Sequence, residues 1–452
     1  MSRKASAGTG ELVEKSFIHY VPIIIVCILI CGVPSAILNS AAGIYYPVMA
    51  EDFGVPVSQI SLWRTFDYIT GVIATPFAGL FLAKYNSKII ILSCAIVESL
   101  VFILFGMAPS VPVLWVGGAI AGVTNGVMLG VAISVLINRW FRVSVGLVIG
   151  VATAFTGFGG MLFTPIGQYI IDTAGWRASY IELGIFSLIV MTVGVLLFMA
   201  NKPEDKGLLP YGTAKAAAKA SISEEEAVEP LCVRPSVARK SLVLVLIIIL
   251  FLFINTVANV NAYFATYINW YNAQADVVAG IMVGAFVTGA QLTAFNSFGN
   301  AVGKLGLGFM SDLSMKVTLV VLVACGIVGL VFMWQFPTTI LLPIGSVLIG
   351  CFIPAVLVLG PQIVREVFGN GASFPVIYGY CSWALGLGGA IGSYVWGACY
   401  ENLGGFDAVF GIACACLVAI LILGFVVLGM KNKLPREHLT QKDIEEGKAG
   451  TL

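Results

Sequence analysis

Charge is what this sequence has least of. Only 10% of its 452 residues are Asp, Glu, Lys or Arg, where an ordinary soluble domain carries about 25%. Apolar residues make up 59%, more than a water-facing protein of this size can cover. A bilayer lifts that requirement, because lipid tails accept apolar side chains. The net charge of +1 gives no bulk attraction to nucleic acid or acidic partners. The two histidines, His19 and His438, form no metal-ligand spacing with the cysteines. The ten cysteines are scattered through apolar runs, as at Cys27, Cys31, Cys94, Cys325 and Cys351, and even the close pair Cys414 and Cys416 lies in one. They read as small apolar packers rather than a disulfide framework. Also missing are a nucleophile–base pair, a phosphate loop and a metal cluster, so neither an enzyme nor a cofactor is expected. No short apolar core with a small-residue cleavage site opens the chain. The first run, about 17–50, is too long for a signal peptide and is expected to stay in place.

What is present is long apolar segments. A span needs roughly 20 such residues, and the sequence predicts helices near 17–49, 58–83, 88–107, 110–138, 143–172 and 178–200. A second set is predicted near 240–270, 277–310, 316–334, 337–365, 371–400 and 406–430. Between the sets, 201–239 is polar and holds Glu224, Glu225 and Glu226. The organisation expected is a tail (1–16), a six-helix bundle (17–200), a central loop (201–239), a second six-helix bundle (240–430) and a tail (431–452).

Lysine and arginine set the orientation. Of the 24, all but three fall on one side: the tails, the central loop, the 83–88 and 138–142 loops, Lys316 and Arg365. Arg177 is on the other side, and Arg64 and Lys304 lie inside spans. Both termini and the loop are therefore expected in the cytoplasm, with the protein in the cell (inner or plasma) membrane.

The halves carry a weak repeat. Gly79-Leu80-Phe81-Leu82-Ala83 precedes Lys88, and Gly308-Phe309-Met310-Ser311-Asp312 precedes Lys316, each at the same end of its half's second helix. Duplicated units with a midplane site between them are a transporter architecture.

The stretch 122–177 is the most distinctive. It runs Asn138-Arg139-Trp140-Phe141, Gly146, Gly150, Gly157-Phe158-Gly159-Gly160, Pro165 and Gly175-Trp176-Arg177. Further marks are Lys206-Gly207-Leu208-Leu209-Pro210-Tyr211-Gly212, Phe368-Gly369 and Tyr378-Gly379. Together they resemble the oxalate:formate antiporter and monocarboxylate transporter branch of the major facilitator superfamily. The resemblance implies an all-α membrane fold of twelve helices in two pseudo-symmetric six-helix bundles. Physically, the glycines read as close-approach and hinge positions, and Trp140 with Arg139 and Arg142 as an interfacial anchor.

The candidate site rests on polar residues in apolar spans, which default to function. Lys304 lies eight residues before Asp312, about 12 Å along a helix; it reads as an anion counter-charge or, failing that, as a structural ion pair or gate contact. The resemblance puts a carboxylate-pairing arginine at Lys304 and often an aspartate at Asn300, whose absence weighs against proton symport through that site. Asn300, Asn296 and Gln291 share roughly one face. Arg64 and Asp67, three apart in the outer half of the second helix, suit a local ion pair that holds the outer gate or an interhelical contact or, for Arg64, anion binding. Glu98 reads as a coupling acid or a neutral buried one. The resemblance gives Asp312 a gate role, with Ala83 in its first-half place, and puts Leu385 where oxalate carriers hold a second cation. Asn39, Tyr45, Tyr46, Asn125, Asn259, Asn261 and Tyr263 are candidates to finish the pocket, while Tyr267 reads as an interface anchor.

The expected function is alternating-access transport of a small organic monoanion, a monocarboxylate above others, by a monomer, with a coupling proton or counter-solute. The rivals are an exporter of amphipathic drugs and a non-transporting membrane sensor.

Overall fold

A computed structural model describes residues 13–213, 231–278, 285–310, 314–369 and 373–438. Among these residues, nine helices are long and apolar enough to cross a membrane. They are α1 (Phe17–Phe53), α2 (Val57–Lys84), α3 (Ser87–Gly106), α4 (Val111–Trp140), the continuous Val145–Phe198, α7 (Leu242–Gln274), α9 (Met315–Gln335), α11 (Phe374–Asn402) and α12 (Phe406–Gly429). Val145–Phe198 has 54 residues, about 80 Å of helix, far more than one bilayer. It is two crossings, α5 (145–174) and α6 (176–198), turned at Gly175, whose φ of 86° suits glycine. Gly289–Met310 forms α8, and the pair Leu341–Phe352 and Ala355–Phe368 forms α10, completing twelve. The chain is helical because lipid offers no partner to an open backbone.

Helix ends follow local chemistry. Gly54, at φ 64°, closes α1; Asn86, Ser241 and Ser314 accept backbone N–H bonds at the starts of α3, α7 and α9. The eighth span starts later than expected. Gly289 rather than 277 opens α8, and the helical run of the seventh continues to Val278. Residues 279–284 lie outside the described set.

Glycines fix the packing inside each half. On α4, Gly118, Gly122 and Gly126 recur every four residues and lie on the backbone of α2 at Trp63, Asp67 and Gly71. This small-residue stripe brings two helix backbones into contact. In the second half, Gly299 and Gly303 of α8 press on Val347 and Cys351 of α10, and Gly350 of α10 presses back on Asn296. Beyond Asn125, α4 continues as a π-helical turn over Gly126–Ala132.

The face that carries the described ends of the chain, Val13 and His438, here the terminal face, is braced by short segments. Val13 bridges Leu208, Phe141 bridges Tyr211, and the Tyr20 hydroxyl donates to Leu209 O at 2.6 Å. In the other half, β1 (Leu231–Cys232) pairs antiparallel with β2 (Glu437–His438), and Arg234 meets Glu437 at 2.8 Å. Trp140 is buried against Tyr20 rather than set at an interface. Arg139 instead ties α4 to its neighbours by donating to Ser87 Oγ and Leu82 O.

The glycine stripe makes a prediction. Gly122→Ala places a methyl group against the Asp67 carbonyl and is expected to cost about 1–3 kcal/mol, as overpacking does. Its melting temperature in detergent should fall clearly. Gly146→Ala, at a position with nothing within 4 Å, should melt like the parent protein. Equal melting of the two variants defeats the packing argument.

Candidate functional site

The two halves meet along two helix pairs, α5 with α8 and α2 with α11. Gly157 of α5 lies on Ser297 and Ala301 of α8, and Gly160 lies on Ser297 Oγ. On the other pair, Thr65 donates to Ala390 O at 3.0 Å, Val72 touches Gly386, and Tyr68 packs on Gly389. Gly79, which continues the Thr65–Tyr68–Val72 face of α2, and Gly379, two turns before Gly386, have no neighbour within 4 Å. Gly146 and Gly150 of α5 and Gly306 of α8 are equally open. The halves thus touch away from the termini and part toward the terminal face.

Lys304 sits where α5 and α8 begin to part. Its ammonium crosses to the other half, donating to Thr153 O at 3.1 Å and to Thr156 Oγ1. Among the described residues no carboxylate lies within 4.0 Å of it. Neither Asp67 nor Glu98 is its ion-pair partner. An ammonium has three donors, and two are engaged.

The amides near Lys304 form a chain. Asn261 Nδ2 of α7 donates to Asn296 Oδ1 at 3.2 Å, and Asn296 Nδ2 donates to Ser346 O of α10 at 3.1 Å. Asn300, one turn before Lys304 and 8% exposed, has an unpartnered Oδ1. Gln291 does not join them. It is exposed at the start of α8, where its Oε1 accepts from Thr288 N at 3.0 Å while Thr288 Oγ1 accepts from Gln291 N. That reciprocal pair is a capping box, and it corrects the mid-membrane placement.

A second polar cluster is enclosed in the first half. Arg64 pairs with Asp67 at 2.8 Å, donates to Asn39 Oδ1, and lies 4.9 Å from the centre of the Tyr68 ring. Asn125 of α4 faces Asp67, and its neighbour Thr124 donates to Glu98 Oε2 at 3.1 Å. Arg64, Asp67 and Glu98 are 6%, 3% and 0% exposed. Arg64 is therefore spent on a local pair, not offered to the cleft. Two apolar crevices of about 450 and 500 Å³ flank α2–α4, but Arg64, Asp67, Glu98 and Lys304 line neither.

The Major Facilitator Superfamily profile matches residues 28–295. The chain belongs to this superfamily. It is 24% identical over 204 residues to the oxalate:formate antiporter of Oxalobacter formigenes, covering 45% of this chain and 47% of that protein. It is 23% identical over 417 residues to monocarboxylate transporter 11 of Mus musculus, covering 89% and 86%. The chain thus spans about half the length of the antiporter in its match. Among solved structures, the nucleoside transporter NupG superposes with a TM-score of 0.64 at 13% identity, covering 91% of this chain and 98% of that one. A bacterial homologue of the human lysosomal transporter Spinster, inward-facing and occupied, gives 0.59 at 14%, covering 93% and 97%. At these identities the structures establish the fold.

In this facilitator the face opposite the termini is sealed by aromatic rings and one unforeseen carboxylate. Tyr46 of α1 meets Tyr263 of α7 edge-on at 5.7 Å across the halves, beside Gly43 against Ala262. Tyr68 donates to Asn259 at 3.3 Å. Tyr45 stacks on Tyr180 at 3.9 Å and shares a hydrogen bond with Ser179, so it lies inside the first half, outside the cleft. Tyr263 donates to Ser393 O within its own half. Tyr267 is buried, donating to Met333 O at 2.6 Å, and is no interface anchor. Glu401, at the end of α11, accepts from Ser58 N at 2.8 Å and Ser58 Oγ at 2.5 Å at the start of α2. A carboxylate there also favours the positive end of the α2 dipole. Sequence reading missed it, because an acid beside Asn402 reads as a solvated helix end. Asp312 lies outside the described residues.

Glu401→Ala removes this clamp between the halves, worth roughly 1 kcal/mol for an exposed cap, or about a 5-fold gain in opening of the sealed face. With Cys399→Ser and Thr65→Cys together, maleimide labelling from that face should rise by about that factor. An unchanged rate removes Glu401 from the seal.

Proposed function

We propose that this chain is a secondary carrier for a small organic monoanion, with a monocarboxylate the preferred chemistry, and that Lys304 is its counter-charge. The observation that carries the reading is the isolation of Lys304. An ammonium inside a membrane is costly unless a cavity or a partner compensates it, and among the described residues Lys304 finds only a carbonyl and a hydroxyl at the apex of the cleft. A carboxylate entering the cleft supplies the missing charge, and the unpartnered Oδ1 of Asn300 marks a nearby amide with capacity to orient it. Arg64 is neutralised by Asp67, and Leu385 brings an aliphatic side chain where the resemblance implies a second cation. One net cation suits a monoanion better than a dianion. The names of the antiporter and monocarboxylate relatives support the same solute class.

The proposed orientation puts the terminal face in the cytoplasm, from the lysine and arginine bias. The parted end of the halves is then the inward-open cleft. In the return half-cycle the α5–α8 and α2–α11 contacts exchange for contacts at the terminal face. Cysteines introduced within 201–239 should react with an impermeant reagent only in inverted vesicles; labelling in intact cells reverses the orientation.

The site prediction separates binding from folding. Lys304→Gln should weaken monocarboxylate binding about 10- to 150-fold, the loss expected for charge-assisted hydrogen bonds of about 1.5–3 kcal/mol. Lys304→Arg should keep much of the affinity, since the charge returns with a fork suited to carboxylates. Among the described residues no acid pairs with Lys304, so Lys304→Gln strands no buried carboxylate and should stay folded, with any fall in melting limited to the lost Thr153 and Thr156 contacts. Binding by isothermal calorimetry with a carboxylate panel, run beside thermal unfolding, measures both. Normal affinity in the folded Gln variant takes Lys304 out of the site.

A further inference from the structure

The cluster enclosed in the first half has a charge pattern that the anion site does not explain. Three ionisable groups converge there, two carboxylates and one guanidinium, all more than nine-tenths buried. Arg64 is committed to Asp67, which leaves Glu98 with one neutral donor, the Thr124 hydroxyl. A fully enclosed carboxylate with so little support is not a stable ion. Hydrogen bonding gives an independent indication. Three oxygens of this cluster, Asp67 Oδ1, Glu98 Oε1 and Asn125 Oδ1, are buried with no partner. All three are acceptors, so the cluster is short of donor hydrogens. A proton on Glu98 supplies one donor and cancels the excess negative charge in a single step.

We propose that Glu98, with Asp67 and Arg64 beside it, is a proton-binding site that fills and empties during the transport cycle. The step is a simple transfer. A hydronium gives its proton to a Glu98 oxygen, an O–H bond forms and water is released; unloading reverses this. The charged or titratable neighbours are Arg64 and Asp67 from α2 and Cys94 from the preceding turn of α3. The α4 helix brings the neutral Thr124 and Asn125, and α6 packs on this helix through Ser187 on Ser99 and through Gly184. The link from the cluster to the seam between the halves runs through α2. Arg64 stacks against Tyr68, whose hydroxyl crosses the halves to Asn259 in the sealed face. Opening that face would separate Tyr68 from Asn259 and free the ring that lies on Arg64, on the side opposite the cleft. A proton loaded there and a monoanion bound at Lys304 make a neutral cargo. Asn300 provides no carboxylate for this purpose, and Glu98 supplies one in the other half.

Only the use of the proton rests on the carrier reading; its binding does not, and the test needs no solute. Infrared difference spectra of the purified full-length protein, titrated from alkaline to mildly acidic pH, report the carbonyl stretch of a protonated carboxylic acid. A band that grows with acid and shifts in heavy water is expected, and Glu98→Gln, nearly isosteric, should remove it. Asp67→Asn should move its appearance to lower pH, because Arg64 loses its partner and turns to stabilise ionised Glu98. This shift distinguishes a proton site from a packing role and does not require the Glu98 variant to fold. No band in the parent protein, a band present at every pH, or a band unaffected by Asp67→Asn in folded protein overturns the proposal. Proton-gradient-driven uptake of lactate into proteoliposomes forms a separate arm. Absence of all lactate flux with the infrared titration intact counts against the solute assignment alone.

Discussion

An ammonium to which no described residue brings a counter-charge is the constraint around which the cleft is arranged. Moving a lysine to the centre of a membrane helix costs about 2.5–3.5 kcal/mol on insertion scales. The protein recovers part of this by reaching from α8 across to the Thr153 carbonyl and the Thr156 hydroxyl of α5. Those bonds hold the charge in place without neutralising it. They also join the two halves at the edge of the cleft. On the proposed function, an anion that draws Lys304 away would loosen this contact, joining occupancy and conformation at one side chain.

The reach of Lys304 is set by how closely its helices approach. Gly157 and Gly160 let α5 lie on Ser297 and Ala301 of α8, leaving no room for a larger residue. The same device works inside the halves, where the Gly118–Gly122–Gly126 stripe seats α4 on the α2 backbone. That contact is what delivers Thr124 and Asn125 to Glu98 and Asp67. In lipid, where no hydrophobic force draws helices together, this kind of close fit supplies much of the association. The family-like glycines of 146–160 therefore have two fates. Gly157, Gly159 and Gly160 are packed, while Gly146 and Gly150 have no neighbour within 4 Å.

Much of this was legible in the sequence. Spans follow from unbroken apolar runs, and the Arg64–Asp67 pair follows from a three-residue helical spacing. The start of α8 was misplaced because 277–288 is nearly all apolar and reads as more helix. The Thr288-x-x-Gln291 capping signature was the available correction. The partners of Lys304 were not legible, because one is a backbone carbonyl on another helix, which leaves no mark on residue type. Asn39 joining Arg64, and Glu401 capping α2, depend on distant helices meeting and were hidden for the same reason. Trp140 and Tyr267 looked like interface anchors by their position near helix ends. The segment at 207–213 and the packing of α9 and α12 bury them instead.

The two polar centres differ in a way that fits their places. The Arg64 cluster belongs to one half and balances its cation internally, so it moves as a unit with that half. Lys304 belongs to one half and is satisfied by the other, so its surroundings change whenever the halves move. The proposed solute site has to sense the cycle, and a group of the second kind is placed to do so directly. The first cluster can sense it through one link, the Tyr68 ring lying on Arg64 with its hydroxyl on Asn259 across the seam. Each centre therefore touches the interface at one of the two helix pairs, Lys304 at α5–α8 and Tyr68 beside α2–α11. On the proposed cycle, breaking the distal contacts and closing the cleft would alter both at once, and so couple a charge held at one pair to a charge held at the other with no direct bond between them.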